Sequence, residues 1–205
     1  MEKDNALATA VLANCLAVDG INRKNNAKVS EAVEVANRAL KADSKLALAH
    51  NGLGLVHFGQ GKLSEAQKEF SSATSLDPAL AVAHSNLGQV LFVQKQHKDA
   101  ERSFRAAIKA NPESAVPYNG LAQVLLELKK PGDAAKAARD AIAKYELKDD
   151  YLGLFYVNLA SALYQDGKLD PAKEAMARAK TLGIAQNPAY DVIEKGPQKD
   201  ARKKG

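Results

Sequence analysis

A chain of 205 residues, 46% hydrophobic and 26% charged, has room for a sizeable core, and no run approaches the roughly eighteen apolar residues that span a bilayer. Its one cysteine, Cys15, excludes an internal disulfide framework and any multi-cysteine metal knuckle. The net charge of +5 does not make a basic face, because five cations (Lys195, Lys199, Arg202, Lys203, Lys204) against Asp200 stand in the last eleven residues and leave the body near neutral; no nucleic-acid binding is expected of the folded body.

The chain opens with MEKDNALATAVLANCLAVDG, acidic residues and Asn where a secretory signal would be basic and then apolar. A cytoplasmic location is expected from this, with a periplasmic or envelope-associated one as the alternative if a signal was removed. Cys15 lies among Leu12, Leu16 and Ala17 in a helical pattern and is expected to be buried, with no basic neighbour in sequence to lower its pKa. A second helix follows in SEAVEVANRALKA, with Ala32, Ala36 and Ala39 on one face. Between the two, DGINRKNNAKV is expected as a loop, since Ala13 to Ala32 spans nineteen residues where the next such pair, Gly54 to Ala66, spans twelve.

From residue 47 onward the chain repeats itself. AHNGLG at 49–54 returns as AHSNLG at 83–88, and Leu53, Gly54, Ala66, Phe70, Ala73 and Pro78 recur as Leu87, Gly88, Ala100, Phe104, Ala107 and Pro112. A third copy holds Leu121, Ala122, Ala134, Ala138 and Ala141, and a fourth Leu159, Ala160, Ala172, Met176 and Ala179. A fixed period of this length signals stacked supersecondary units. His50, Leu53, Gly54 and His57 fall on one helix face, as do Ala66, Phe70 and Ala73, so each unit reads as two helices. Gly61 is expected to stop the first helix, Ser64 to cap the second with Gln67 completing a capping box, and Gly167, Asp170 and Pro171 to do likewise in the last copy with Pro171 at the first helical position. Asp77-Pro78, Asn111-Pro112 and Asn187-Pro188 are expected to end the second helices. DDYL at 149–152 is a four-residue insertion. The tail KGPQKDARKKG, charged and poor in apolar residues, is expected to be disordered.

This pattern of small and large residues resembles the tetratricopeptide repeat family over most of the chain. The resemblance implies an all-α, right-handed superhelical α-solenoid of stacked antiparallel helix pairs: a divergent capping repeat at 5–44, repeats at 47–80, 81–114, 115–148 and 153–186, a short capping helix at 188–194, and the basic tail at 195–205. His50 and His84 stand where the family usually opens a repeat with an aromatic, which Tyr118 and Tyr156 supply in the later copies, and are read as space-fillers.

Catalytic machinery is not evident. Ser71 and Ser72 lack a glycine-flanked elbow, and no glycine-rich phosphate loop is present. His50, His57 and His84 make a metal site conceivable, but packing suits two of those positions better. No catalytic residue, metal or cofactor is assigned, and the chain is read as a non-enzyme.

The resemblance further implies that the second, fifth, ninth, twelfth and thirteenth residues of each repeat face a concave groove. Here these are Leu48, Asn51, Leu55, Phe58 and Gly59; Val82, Ser85, Gln89, Phe92 and Val93; Val116, Asn119, Gln123, Leu126 and Glu127; Leu154, Val157, Ser161, Tyr164 and Gln165. Only Glu127 is charged. Asn51, Gln89, Asn119, Gln123 and Gln165 are amides able to bond both N–H and C=O of an extended backbone. They are assigned to the groove because unpaired buried amides are costly. The line Phe58, Phe92, Leu126 and Tyr164 fits groove or inter-repeat core equally. Family members that hold a chaperone's C-terminal carboxylate do so with Lys and Arg on the groove helices; at the corresponding places here stand Asn51, Leu55, Asn86, Asn119 and Gln123. Asn86 alone fits, so a chaperone tail is not the expected partner.

The function expected is therefore a scaffold or adaptor that binds a peptide segment or partner helix. The alternative is an assembly factor acting by self-association or through its basic tail on an acidic surface, for example in bacterial envelope assembly, by fold-level analogy.

Overall fold

The computed structural model describes residues 2–147 and 149–196, and all regular structure among them is α-helical. The chain divides into two compact units, Met1–Pro112 and Glu113–Gly205. The first unit holds α1 (Glu2–Asn22), α2 (Asn26–Ala42), α3 (Ala47–Gly59), α4 (Leu63–Leu76), α5 (Ala81–Val93) and α6 (His97–Ala110). Helices pair as α1/α2, α3/α4 and α5/α6, while α3 seats on both helices of the first pair and α5 on both of the second. The second unit holds α7 (Ala115–Glu127), α8 (Pro131–Lys144), α9 (Asp150–Gln165), α10 (Leu169–Thr181) and α11 (Ala189–Lys195). Here α7/α8 and α9/α10 pair, α9 seats on α7 and α8, and α11 touches α9 and α10. The fold class is thus all-α, built of stacked helix pairs. Beyond residue 196, the expected tail lies outside the described residues.

One turn joins every pair. Three residues separate the helices each time, and the middle one is left-handed: Lys24 (φ 51°), Gly61 (74°), Lys95 (62°), Lys129 (58°) and Gly167 (77°). In the α3–α4 turn, Gly61 N–H donates to Phe58 O and Lys62 N–H to His57 O, the two bonds that close a Schellman motif. The same turn between α1 and α2 corrects the expected long loop. α1 runs nine residues past Ala13 where α3 runs five past Gly54, and α2 starts six before Ala32 where α4 starts three before Ala66. The seven extra residues are helical, because the closing turn tolerates only one length.

Three other local expectations are corrected. Ser64 is the second residue of α4, whose N-cap Lys62 makes no side-chain bond, so the capping box does not form. Likewise Leu169 opens α10, with Asp170 second and Pro171 third; proline is still tolerated there, since the first N–H groups of a helix lack intrahelical acceptors. Asn187-Pro188 does not end α10, which stops at Thr181 with Gly183 left-handed at φ 96°. The expected stops at Asp77 and Asn111 do hold, both in extended geometry before proline.

Volume complementarity makes each pair. A Cβ on Gly54 would lie 2.6 Å from the Phe70 ring, and one on Gly88 3.0 Å from Phe104. Where the partner is smaller the first helix regains its methyl group: Ala122 goes with Ala138, Ala160 with Met176. All eight residues are buried. The DDYL insertion adds a turn to the start of α9, capped by Asp149, which accepts from Leu152 N–H at 3.1 Å. Tyr151 from this turn and Phe155 one turn further on stack edge-on or tilted with Tyr145 and with each other at 5.2–5.8 Å. α11 covers its neighbours with buried Tyr190 and Ile193. Its Glu194 bonds Lys180 at 2.5 Å, and this hydrogen bond holds the carboxyl below its usual range.

Cys15 is exposed, contrary to the reading that buries it. α1 is apolar nearly all round, so the sequence does not mark which stripe faces inward; Ala6, Ala10, Ala13 and Ala17 do.

Candidate peptide-binding faces

The first helices of the pairs carry the uncharged positions, and each unit is considered by itself. In the first unit an asparagine ladder ties α1, α3 and α5 together. Asn14 Nδ2 donates to Ala10 O and Leu48 O, Asn51 Nδ2 to Asn14 Oδ1 at 2.5 Å, and Asn86 Nδ2 to Asn51 Oδ1 at 3.0 Å. Asn51 is only 1% exposed. Its amide is spent between helices, and the argument that a buried amide is too costly fails here because both ends are satisfied. The second unit repeats the device once: Asn158 Nδ2 donates to Asn119 Oδ1 at 2.7 Å. Sequence reasoning missed Asn14 and Asn158. A signal existed, since Asn86 follows Asn51 by 35 residues and Asn158 follows Asn119 by 39, each one more than the local repeat, which sets neighbouring turns opposite one another.

The remaining candidates divide by burial. On α5, Ser85, Asn86 and Gln89 are half-buried, with Val82 and Val93 beside them 46% and 45% exposed. Phe92 is half-buried and meets His97 edge-on at 5.7 Å. On α3, Leu55 and Phe58 pack on the core of Ala66, Phe70 and Val90, so this part of the apolar line belongs largely to inter-helix packing. On α7 and α9, Gln123, Ser161 and Tyr164 are half-buried, Glu127 and Gln165 exposed, and Leu126 and Val157 buried; Val116 and Leu154 stand 45% and 42% open. Among the described residues no hydrogen bond engages the side-chain amides of Gln89 or Gln123. These two half-open amides, each flanked by exposed branched aliphatics, are what the geometry leaves available.

The histidines differ from simple space-fillers. His50 Nδ1 pairs with Glu69 Oε2 at 2.7 Å, linking α3 to α4, and His84 Nε2 lies 3.1 Å from Pro78 O. Among the described residues no three His, Cys, Asp or Glu side chains group as a metal site. No helix among them is long and apolar enough to cross a membrane.

The tetratricopeptide repeat model matches three overlapping stretches, 20–81, 51–115 and 86–150, and a second tetratricopeptide repeat model matches 155–182. The chain belongs to the tetratricopeptide repeat family, whose members are protein–protein interaction scaffolds with protein or peptide partners. Among solved structures, PilF of Pseudomonas aeruginosa is similar with a TM-score of 0.76 at 23% identity, covering 91% of this chain and 80% of that one. MamA follows at 0.67 and 20%, covering 80% and 94%. YrrB, described as a TPR protein with an unusual peptide-binding site, gives 0.65 and 22%, covering 75% and 77%. At such identities the likeness is one of fold. No curated protein matches the chain.

Proposed function

We propose that this protein is a non-enzymatic adaptor that takes extended peptide segments on the first helices of its pairs, Gln89 on α5 bonding the backbone of a peptide held by the first unit and Gln123 on α7 that of a peptide held by the second. The observation that carries this is the pair of half-buried amides left without an internal partner, each beside exposed Val82 and Val93 or Val116. A side-chain amide offers a donor and an acceptor at once, and a strand's backbone needs both. The aliphatic neighbours supply contact area without charge. YrrB, of the same fold, is described as having a peptide-binding site, which accords with this reading.

Peptides selected from a random library against the intact protein provide the test. Gln89→Ala and Gln123→Ala should each weaken the selected peptides by roughly 1 to 3 kcal/mol, with unfolding midpoints unchanged. Lys98→Ala, on the exposed side of α6, should alter neither. Equal affinity for all variants would remove the first-helix faces from the interaction.

A further inference from the structure

Asparagine followed by glycine occurs twice in the chain, at Asn51-Gly52 and Asn119-Gly120, and both asparagines belong to the ladders between first helices. In α3 the pairing has a packing origin. Asn51 bonds the neighbouring helix, and the residue beside it must let α1 come close: a Cβ on Gly52 would lie 3.3 Å from Asn14 Nδ2 and 3.5 Å from the Ala13 methyl. Gly120 is likewise buried, inside α7.

An Asn-Gly bond is chemically labile wherever the chain is unfolded. The glycine nitrogen loses its proton and attacks the asparagine Cγ; a bond from nitrogen to Cγ forms, the Cγ–Nδ2 bond breaks, and ammonia leaves. Water then opens the cyclic imide at either of its carbonyls and yields aspartate or isoaspartate, with no oxidant or reductant. Glycine favours ring closure because no Cβ hinders its nitrogen. The fold opposes the same step in two ways. Inside α3 and α7 each glycine N–H is held by the carbonyl four residues back, and helical ψ keeps the nitrogen away from Cγ. The Asn51 amide is in addition bonded at both ends and 1% exposed.

The two sites differ in what the product does. Asn14 Nδ2 donates to two backbone carbonyls, Ala10 O and Leu48 O, so its Oδ1 is turned toward Asn51 and needs a donor. An aspartate at position 51 has none to give, and sets a charged oxygen against that carbonyl out of contact with water. Asn119 is half-buried and, among the described residues, only accepts, from Asn158 Nδ2. A carboxylate there accepts as the amide does. Isoaspartate at either place routes the main chain through Cβ and interrupts the helix's hydrogen bonds. We infer that Asn51-Gly52 and Asn119-Gly120 are self-modification sites silenced by the folded helices, and that aspartate formed at position 51 bars the first unit from refolding while aspartate at position 119 is tolerated.

Ageing the full chain in mildly alkaline buffer, with and without denaturing urea, tests this. Peptide mass spectrometry reads the amide-to-acid conversion at each asparagine, and isoaspartyl methyltransferase labelling reads the isomer. In urea, Asn51 and Asn119 should convert at least about tenfold faster than Asn86 and Asn158, which precede leucine. Without urea both should convert at least about a hundredfold more slowly than in it, since only opened chains react. Asn51→Asp should lower the urea midpoint steeply or leave the first unit unfolded, whereas Asn119→Asp should keep wild-type helix content and a midpoint close to wild type. Conversion in buffer at the urea rate would overturn the inference. So would conversion in urea no faster at these two sites than at Asn86, or an Asn51→Asp chain as stable as wild type. An Asn119→Asp chain as unstable as the Asn51→Asp one would overturn the distinction between the sites.

Discussion

At the scale of single residues, the turns carry avoidable strain. Lys95 and Lys129 occupy the left-handed conformation that Gly61 and Gly167 adopt freely. An L-residue there costs roughly 1–2 kcal/mol, part of which glycine's extra chain entropy takes back. Lys95→Gly and Lys129→Gly should each raise stability by about 0.5–1 kcal/mol, seen as a higher denaturant midpoint at constant slope. A lower midpoint would mean that the lysine side chains make contacts that outweigh the strain. The opposite logic governs Gly54. Alanine gains about 1 kcal/mol of helix propensity there, yet its methyl would enter the space of the Phe70 ring, at a cost of about 1–3 kcal/mol. Gly54→Ala should therefore destabilise, and less so when Phe70 is also leucine. A double-mutant cycle with no coupling between these two sites would contradict the packing described.

At the scale of elements, the constant turn and constant helix length explain where the insertions go. α3, α5 and α7 are each 13 residues and α4, α6 and α8 each 14, and extra residues lengthen helices at their ends without opening the turns. The extra turn of α9 depends on Asp149, the cap that answers one of its free N–H groups. Asp149→Ala should cost about 1 kcal/mol, with faster hydrogen exchange at the start of α9 and no change in α3 or α5. Uniform loss of protection across all helices would instead mean that the turn is an integral part of the core. The ladder bond from Asn158 to Asn119 links α9 to α7 in the same region, so truncating Asn119 disturbs stability as well as any surface it borders. Gln123 is the cleaner probe of binding for this reason.

At the scale of the whole molecule, charge is unevenly placed. Most of the +5 belongs to the last eleven residues, while twenty first-helix positions hold Glu127 alone. Peptide binding on those helices should therefore be nearly independent of salt, with an affinity that changes by less than about twofold between low and high ionic strength in calorimetry. A steep loss with salt would transfer the interaction to the basic residues near the end of the chain.

The helix pairs, their period and the glycine-to-phenylalanine matches were legible because a repeated unit must satisfy one packing geometry each time, and Gly54 with Phe70 states it as plainly as Gly88 with Phe104. Gly61 and the two Asx-Pro stops were legible for a similar reason, since backbone rules act within a few residues. The first pair's turn was not, because one closing geometry absorbed seven residues into helix rather than loop. Nor was the inward face of α1, where every face is apolar and only contact with α2 and α3 selects the alanines. The roles of Asn14, Asn51, Asn119 and Asn158 also waited on the tertiary structure. Composition marks an amide as polar, but whether it is spent on a neighbouring helix or left for a partner depends on which residues stand opposite it.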